Sequence, residues 1–101
     1  MTGPLKGWME VDKLVHEPAR LAILTILASV EKADFLYLQR EAELTRGNLS
    51  AHLTKLQEAG YIHIEKTYRG KLPLTLIQLT RQGRTALEVY RVQLQNILNK
   101  A

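Results

Sequence analysis

The sequence predicts a mainly helical fold interrupted once by a β-hairpin. Three observations carry this. Leu49, Leu53 and Leu56 recur at helical spacing. After Gly60 the pattern changes to strand period, with Ile62 and Ile64 alternating with polar residues. Beyond Thr80 a long amphipathic run begins that carries Ala86, Leu87, Tyr90, Leu94, Ile97 and Leu98 on one face. With 101 residues, 46% of them hydrophobic and 24% charged, the chain reads as one globular domain over residues 1–101. A core of that size is modest, so helices at the chain ends are candidates for packing on a second copy.

The elements follow in order. Residues 1–15 carry a weak amphipathic pattern with Leu5, Trp8, Met9, Val11, Leu14 and Val15, which fits an N-terminal helix or an extended arm. Pro18 suits a first helical turn, where its missing N–H is not needed, and Leu21, Ile23, Leu24, Ile26 and Leu27 continue a strongly apolar helix to about Ser29. Asp34 can cap a second helix that ends near Leu44. Its expected inner face is Leu36, Leu38, Ala42 and Leu44, with Phe35 and Tyr37 as shoulders. Thr45 is the expected cap of the third helix, and Gly60 the left-handed residue that stops it. Arg69-Gly70-Lys71 then turns the chain into a returning strand over residues 72–79. A last long helix is expected over residues 81–98.

Composition removes several functional classes. There is no cysteine, which excludes disulfides, thiolate metal sites and cysteine catalysis and fits a reducing, cytoplasmic setting. The apolar stretch 21–30 is too short to span a bilayer, and no export signal is seen at the N-terminus. His16, His52 and His63 are too dispersed for a local metal motif. Glu41 and Glu43 would point to different sides of a helix, and no catalytic triad or phosphate loop appears, so neither enzyme activity nor a cofactor is expected. The formal charge of +4 is unevenly placed: residues 1–44 are net −2, and residues 61–84 are net +4. All the excess positive charge lies after residue 44, as expected of a face that meets a polyanion.

Two short helices joined by a tight turn, followed at once by a basic hairpin, make a winged helix-turn-helix: a three-helix core, a two-stranded wing and a long C-terminal helix. The segment TRGNLSAHLTKLQEAGYIHIEK resembles the recognition helix and first wing strand of regulators of the MarR and ArsR superfamilies, above all their short single-domain relatives. Leu79-Thr80-Arg81-Gln82-Gly83-Arg84 similarly resembles their join between wing and last helix. The likeness runs from about Pro18 to Leu98. It implies a transcriptional regulator that binds double-stranded DNA, with the wing tip along the backbone or in the minor groove. The chain departs from the metal-sensing ArsR branch, having no cysteine pair on the third helix and no histidine on the last.

Helical geometry selects the contact residues. At about 100° per residue, Gly47, Ala51, Thr54 and Glu58 point away from the leucine stripe, with Ser50 and Lys55 on the flanks. Gly47 and Ala51 are small enough to bring the backbone near a groove floor, and Asn48, Ser50 and Thr54 can hydrogen-bond to bases or phosphates. Arg46 can read guanine or hold a phosphate, and Thr45 caps a helix N-terminus that itself favours phosphate. Lys66, Tyr68, Arg69 and Lys71 are the wing contacts. Trp8, Leu87, Tyr90, Leu94, Ile97 and Leu98 are the expected dimerisation residues, giving a homodimer on a pseudo-palindromic target. A small-molecule effector would have to bind in a cleft between dimer helices. The competing reading is a protein-interaction module without direct DNA contact.

Overall fold

Pro18 opens the first helix of the computed structural model, which describes residues 10–99. Helix α1, Pro18–Ala28, has Pro18 in its first turn, and the Glu17 carboxylate accepts from Arg20 N–H at 2.8 Å. Ile23, Leu24 and Leu27 are buried, and Ser29 ends the helix. Strand β1, Ala33–Asp34, leads directly into α2, Phe35–Ala42, whose cap is Asp34 accepting from Tyr37 N–H at 2.8 Å. Helix α3, Arg46–Glu58, is capped by Thr45, which accepts from Asn48 N–H at 3.1 Å. Strands β2, Ile62–Arg69, and β3, Leu72–Leu79, form the hairpin, and α4, Arg81–Asn99, follows.

The end of α3 is fixed by backbone chemistry. Gly60 takes φ +81, its N–H donates to Gln57 O, and Tyr61 N–H donates to Leu56 O. This is a Schellman stop, and it aims the chain straight into β2. The antiparallel register runs from Ile62 opposite Leu79 to Arg69 opposite Leu72. Ile62, Ile77 and Leu79 thus share the face that packs on the helices, where they are buried. An isolated hairpin would be marginal in water; this one is held by that packing.

Several sequence expectations change. The wing is part of a three-stranded sheet in the order β1-β3-β2, because Ala33 and Asp34 pair with Ile77 and Leu76. Two residues before a helix cap carry no strand period, so only the fold reveals them. Leu36 is not on the inner face of α2; it is 62% exposed. Leu36 and Leu38 lie two residues, about 200°, apart on a helix, and Leu38 takes the core position. The helix also ends at Ala42 rather than near Leu44, because Glu43 adopts a left-handed φ of 55° and turns the chain toward Thr45.

Of the N-terminal pattern, residues 1–9, including Trp8, lie outside the described residues. Residues 12–16 form a turn whose start is capped by the Asp12 carboxylate, accepting from Leu14 N–H at 2.8 Å, and Val11 and Val15 are buried. The turn is tied to three elements. Tyr61 donates its hydroxyl to Asp12, Tyr90 and His16 share a hydrogen bond at 2.7 Å, and Arg20 Nε donates to Leu14 O at 2.6 Å.

Where α4 meets the hairpin, backbone approaches backbone. Thr80 N–H donates to Tyr61 O, the Thr80 hydroxyl donates to Gly60 O at 2.7 Å, and Gly83 N–H donates to the same hydroxyl at 3.0 Å. A Cβ on Gly83 would lie 2.1 Å from Tyr61 O, whereas one on Gly47 would meet nothing within 4 Å. Gly83→Ala is therefore expected to destabilise the protein by about 1–3 kcal/mol in urea unfolding, and Gly47→Ala to leave it unchanged or more stable. A second expectation concerns pH. The hydrogen bond to Asp12, then burial, then the Asp12 charge raise the Tyr61 pKa from 10.0 to about 12. The fold favours the neutral phenol, so its contribution is complete below pH 10 and fades as pH rises toward 12. The unfolding midpoint should fall across that window in the wild type, and fall less in Tyr61→Phe.

Candidate nucleic-acid interface

Helix α3 and the hairpin bound a single cleft of about 650 Å³. Arg46, Ser50, Thr54 and Gln57 form its α3 wall, a stripe at spacings of four, four and three. Lys66 and Thr75, register partners across β2 and β3, stand on the opposite wall, and Asp34, Phe35 and Leu36 close one end. Leu53 and Ile64 line the cleft between the walls. Arg46 of α3 and Lys66 of the hairpin thus face one concave surface.

The geometry sorts the expected contact residues. Thr45, Arg46, Gly47, Asn48, Ser50, Ala51, Thr54 and Lys55 are all exposed. Thr54 donates its hydroxyl to Ser50 O at 3.0 Å, so it offers outward a methyl group and acceptor lone pairs rather than a free donor. In the hairpin, register places Lys66 and Tyr68 on the face that carries Ile62 and Ile64, and Arg69 on the other. Lys71 sits in the turn itself. Gly70 takes φ +62 as the first residue of a two-residue loop, the pattern of a type II′ hairpin turn. Tyr68 and Leu72, each 70% exposed, flank that tip.

Electrostatically the surface is open to an anion. Among the described residues the ion pairs are Lys32 with Glu65 and Arg91 with Glu88, so none of Arg46, Lys55, Lys66, Arg69 or Lys71 is neutralised by a carboxylate. Asp34 is the carboxylate of the cleft, and it is engaged in capping α2. The Arg46 guanidinium lies over the Phe35 ring, 5.3 Å from its centroid. Sequence reasoning missed this pair, although Arg46 one residue past the Thr45 cap and Phe35 one past the Asp34 cap head adjoining helices. It also missed Gln57, which continues the 46-50-54 stripe and was legible from period alone. His52 sits on the flank of α3, where it accepts from Arg20 at 3.3 Å. Among the described residues no group of three His, Asp or Glu is placed to hold a metal, and no helix is long and apolar enough to cross a membrane.

The expected dimerisation residues divide. Leu87 and Tyr90 are buried in the chain's own core, because the face of α4 near its N-terminus packs on α1 and Tyr90 bonds to His16 of the N-terminal turn. Both side chains serve the core of the domain. Leu94 and Ile97 are half-buried and Leu98 is 63% exposed, while Val89 and Val92, each 50% exposed, were not anticipated.

Comparison with known proteins agrees with this architecture. Residues 19–98 match the winged helix DNA-binding domain family, and the chain belongs to it. It is 36% identical over 78 residues to an uncharacterized protein of Methanocaldococcus jannaschii, covering 77% of this chain and 85% of that one. Its fold superposes with a TM-score of 0.87 on a transcriptional regulator homologue from Pyrococcus horikoshii OT3, at 27% identity, covering 96% of this chain and 95% of that chain. The transcriptional repressor CouR, solved on a 23-mer DNA duplex, has the same fold at a TM-score of 0.69 and 18% identity, over 91% of this chain and 65% of CouR. Regulators of the MarR family are also among the solved structures it resembles. The chain is a winged-helix protein whose fold is shared by these transcriptional regulators.

The tip turn sets the reach of the hairpin. Gly70→Ala forces a side chain into φ +62 and is expected to lower stability by about 1 kcal/mol, with Gly70→Asn losing less, as read by thermal unfolding.

Proposed function

We propose that the protein binds duplex DNA sequence-selectively as a homodimeric transcriptional regulator, with α3 in the major groove and the hairpin beside it. The observation that carries this reading is the shared cleft, which brings an exposed polar helix face opposite Lys66 of the hairpin, with Arg46 and Lys66 both free of carboxylate partners. Membership of a DNA-binding family and the likeness in fold to a DNA-bound repressor support it. In this reading Asn48, Ser50, Ala51 and Thr54 face base edges or backbone, with Gly47 permitting close approach. Thr45, Arg46 and Lys55 hold phosphates from the helix, and Lys66, Tyr68, Arg69 and Lys71 do so from the wing.

The homodimer is proposed through the distal part of α4. Leu98 is exposed there, beside half-buried Leu94 and Ile97, and the apolar face they continue beyond the core favours association. Two recognition helices would then lie about 34–36 Å apart, or a multiple of that, on a pseudo-palindromic site. A small-molecule effector acting between dimer helices is compatible with this arrangement.

Selection of genomic fragments by the purified protein supplies the test. The recovered sites should contain an inverted repeat. Affinity for such a duplex should fall with salt, and Arg69→Ala or Lys71→Ala should each make the logarithmic slope shallower by about 1.8 per dimer, about 0.9 for each subunit. Sedimentation should give a species of twice the chain mass, and Leu98→Glu, alone or with Leu94→Glu, should shift it toward a monomer. A protein that ignores every duplex at low salt and retains a defined protein partner through α4 would be an interaction module instead.

A further inference from the structure

We infer that the base pairs beneath the first turns of α3 are A·T pairs, read through thymine methyl groups by Ala51 and Thr54 and through an adenine edge by Asn48. The inference rests on the DNA-binding reading above and adds to it the chemistry of the target. In the major groove guanine shows two acceptors, cytosine shows a donor, adenine sets an acceptor beside a donor, and thymine carries a methyl group. Guanine is therefore read by donors, Arg and Lys above all. A thymine methyl is read by a small apolar surface.

The outward face of α3 is of the second kind. At about 100° per residue, Gly47, Ala51 and Thr54 lie opposite the buried leucines of the helix, and all three are exposed. Gly47 and Ala51 have no polar side-chain atom. The Thr54 hydroxyl proton is committed to Ser50 O at 3.0 Å, which turns the γ-methyl and the oxygen lone pairs outward and leaves no donor for guanine. Arg46, the one arginine of α3, is drawn onto the Phe35 ring on the cleft side, 5.3 Å from its centroid. Glu58 shares the outward direction but lies about 10 Å beyond Ala51 along the axis, past the turns that enter the groove.

An alanine methyl is short, so it meets a thymine methyl only where the helix backbone approaches the groove floor. Gly47, one turn before Ala51, leaves that room: a Cβ built on it would meet nothing within 4 Å. Asn48 stands on the flank of α3 that does not line the cleft. Its backbone N–H is held by the Thr45 cap, and its exposed side-chain amide makes no hydrogen bond among the described residues. That amide carries the donor and acceptor that match adenine N7 and N6.

The test uses the duplexes recovered by selection, with one thymine at a time replaced by deoxyuridine, which removes the methyl and nothing else. On the wild type this should weaken binding about fourfold at one or two positions of each half-site. Thr54→Ser, which keeps the hydroxyl, should no longer distinguish thymine from uracil at one of them, whereas Thr54→Val, which keeps the methyl, should distinguish them as the wild type does. Ala51→Gly should lose the distinction at the other. Replacing one adenine by 7-deazaadenine should weaken the wild type about tenfold and leave Asn48→Ala unaffected. Each reading is a ratio of one variant's affinities for two duplexes, so any change in the folded fraction cancels. Recovery of G·C pairs at these positions would overturn the assignment. So would equal affinity for thymine and uracil duplexes throughout, or a Thr54→Val variant that behaves as Thr54→Ser does; these results leave DNA binding itself standing. A wild type that bound no duplex would defeat the DNA-binding reading and this inference with it.

Discussion

The architecture depends on one close approach, between the first turn of α4 and the carbonyl of Tyr61. Tyr61 O accepts from Thr80 N–H, Gly60 O accepts from the Thr80 hydroxyl, and the same hydroxyl receives Gly83 N–H. Four backbone groups are thereby satisfied, two of them by the Thr80 hydroxyl. The arrangement also ties together the end of α3, the start of β2, the end of β3 and the start of α4. Because the hairpin leaves α3 through this knot, the angle between recognition helix and wing is set by covalent and hydrogen-bond geometry. The cleft inherits its shape from a junction about one side chain wide.

Hydrophobic packing completes what the junction begins. Ile23, Leu24 and Leu27 of α1 and Leu49, Leu53 and Leu56 of α3 form the centre, with Ile62, Ile77 and Leu79 closing it from the sheet. The turn at residues 12–16 covers another side, through Val11, Val15 and the hydroxyls of Tyr61 and Tyr90. Arg20 reaches from α1 to both Leu14 O and His52, so the N-terminal turn and the recognition helix share a contact. Electrostatic complementarity to a polyanion is laid on top of this frame, not built into it.

Much of this was legible in the residues themselves. Period 3.6 in α3, the change to period 2 after Gly60, and the capping chemistry of Asp34 and Thr45 have local causes, so one sequence suffices to read them. What escaped depends on distant neighbours. The strand Ala33–Asp34 exists because β3 lies beside it, and two residues carry no period of their own. Leu36 shows the opposite failure: an apolar residue invites burial, but its angle on a short helix, set against Leu38, leaves it outside. Leu87 and Tyr90 had the right pattern for an interface and the wrong one for their place on α4, where the first apolar turns are needed by the domain itself. The contact stripe on α3 was readable as far as Thr54, whereas the stacking of Arg46 on Phe35 required knowing how two helices meet.

The two-residue loop at Gly70 and Lys71 has a bearing on how such a domain can diverge. Because the strands are in tight register, side-chain orientation along the hairpin is a matter of parity. Lys66 and Tyr68 look one way and Arg69 the other. Extension by an even number of residues on each strand would lengthen the finger and preserve which groups look inward, whereas an odd insertion on one strand would swap them. Related proteins are thus free to vary the span of the finger in steps of two while the helix beneath keeps its own chemistry.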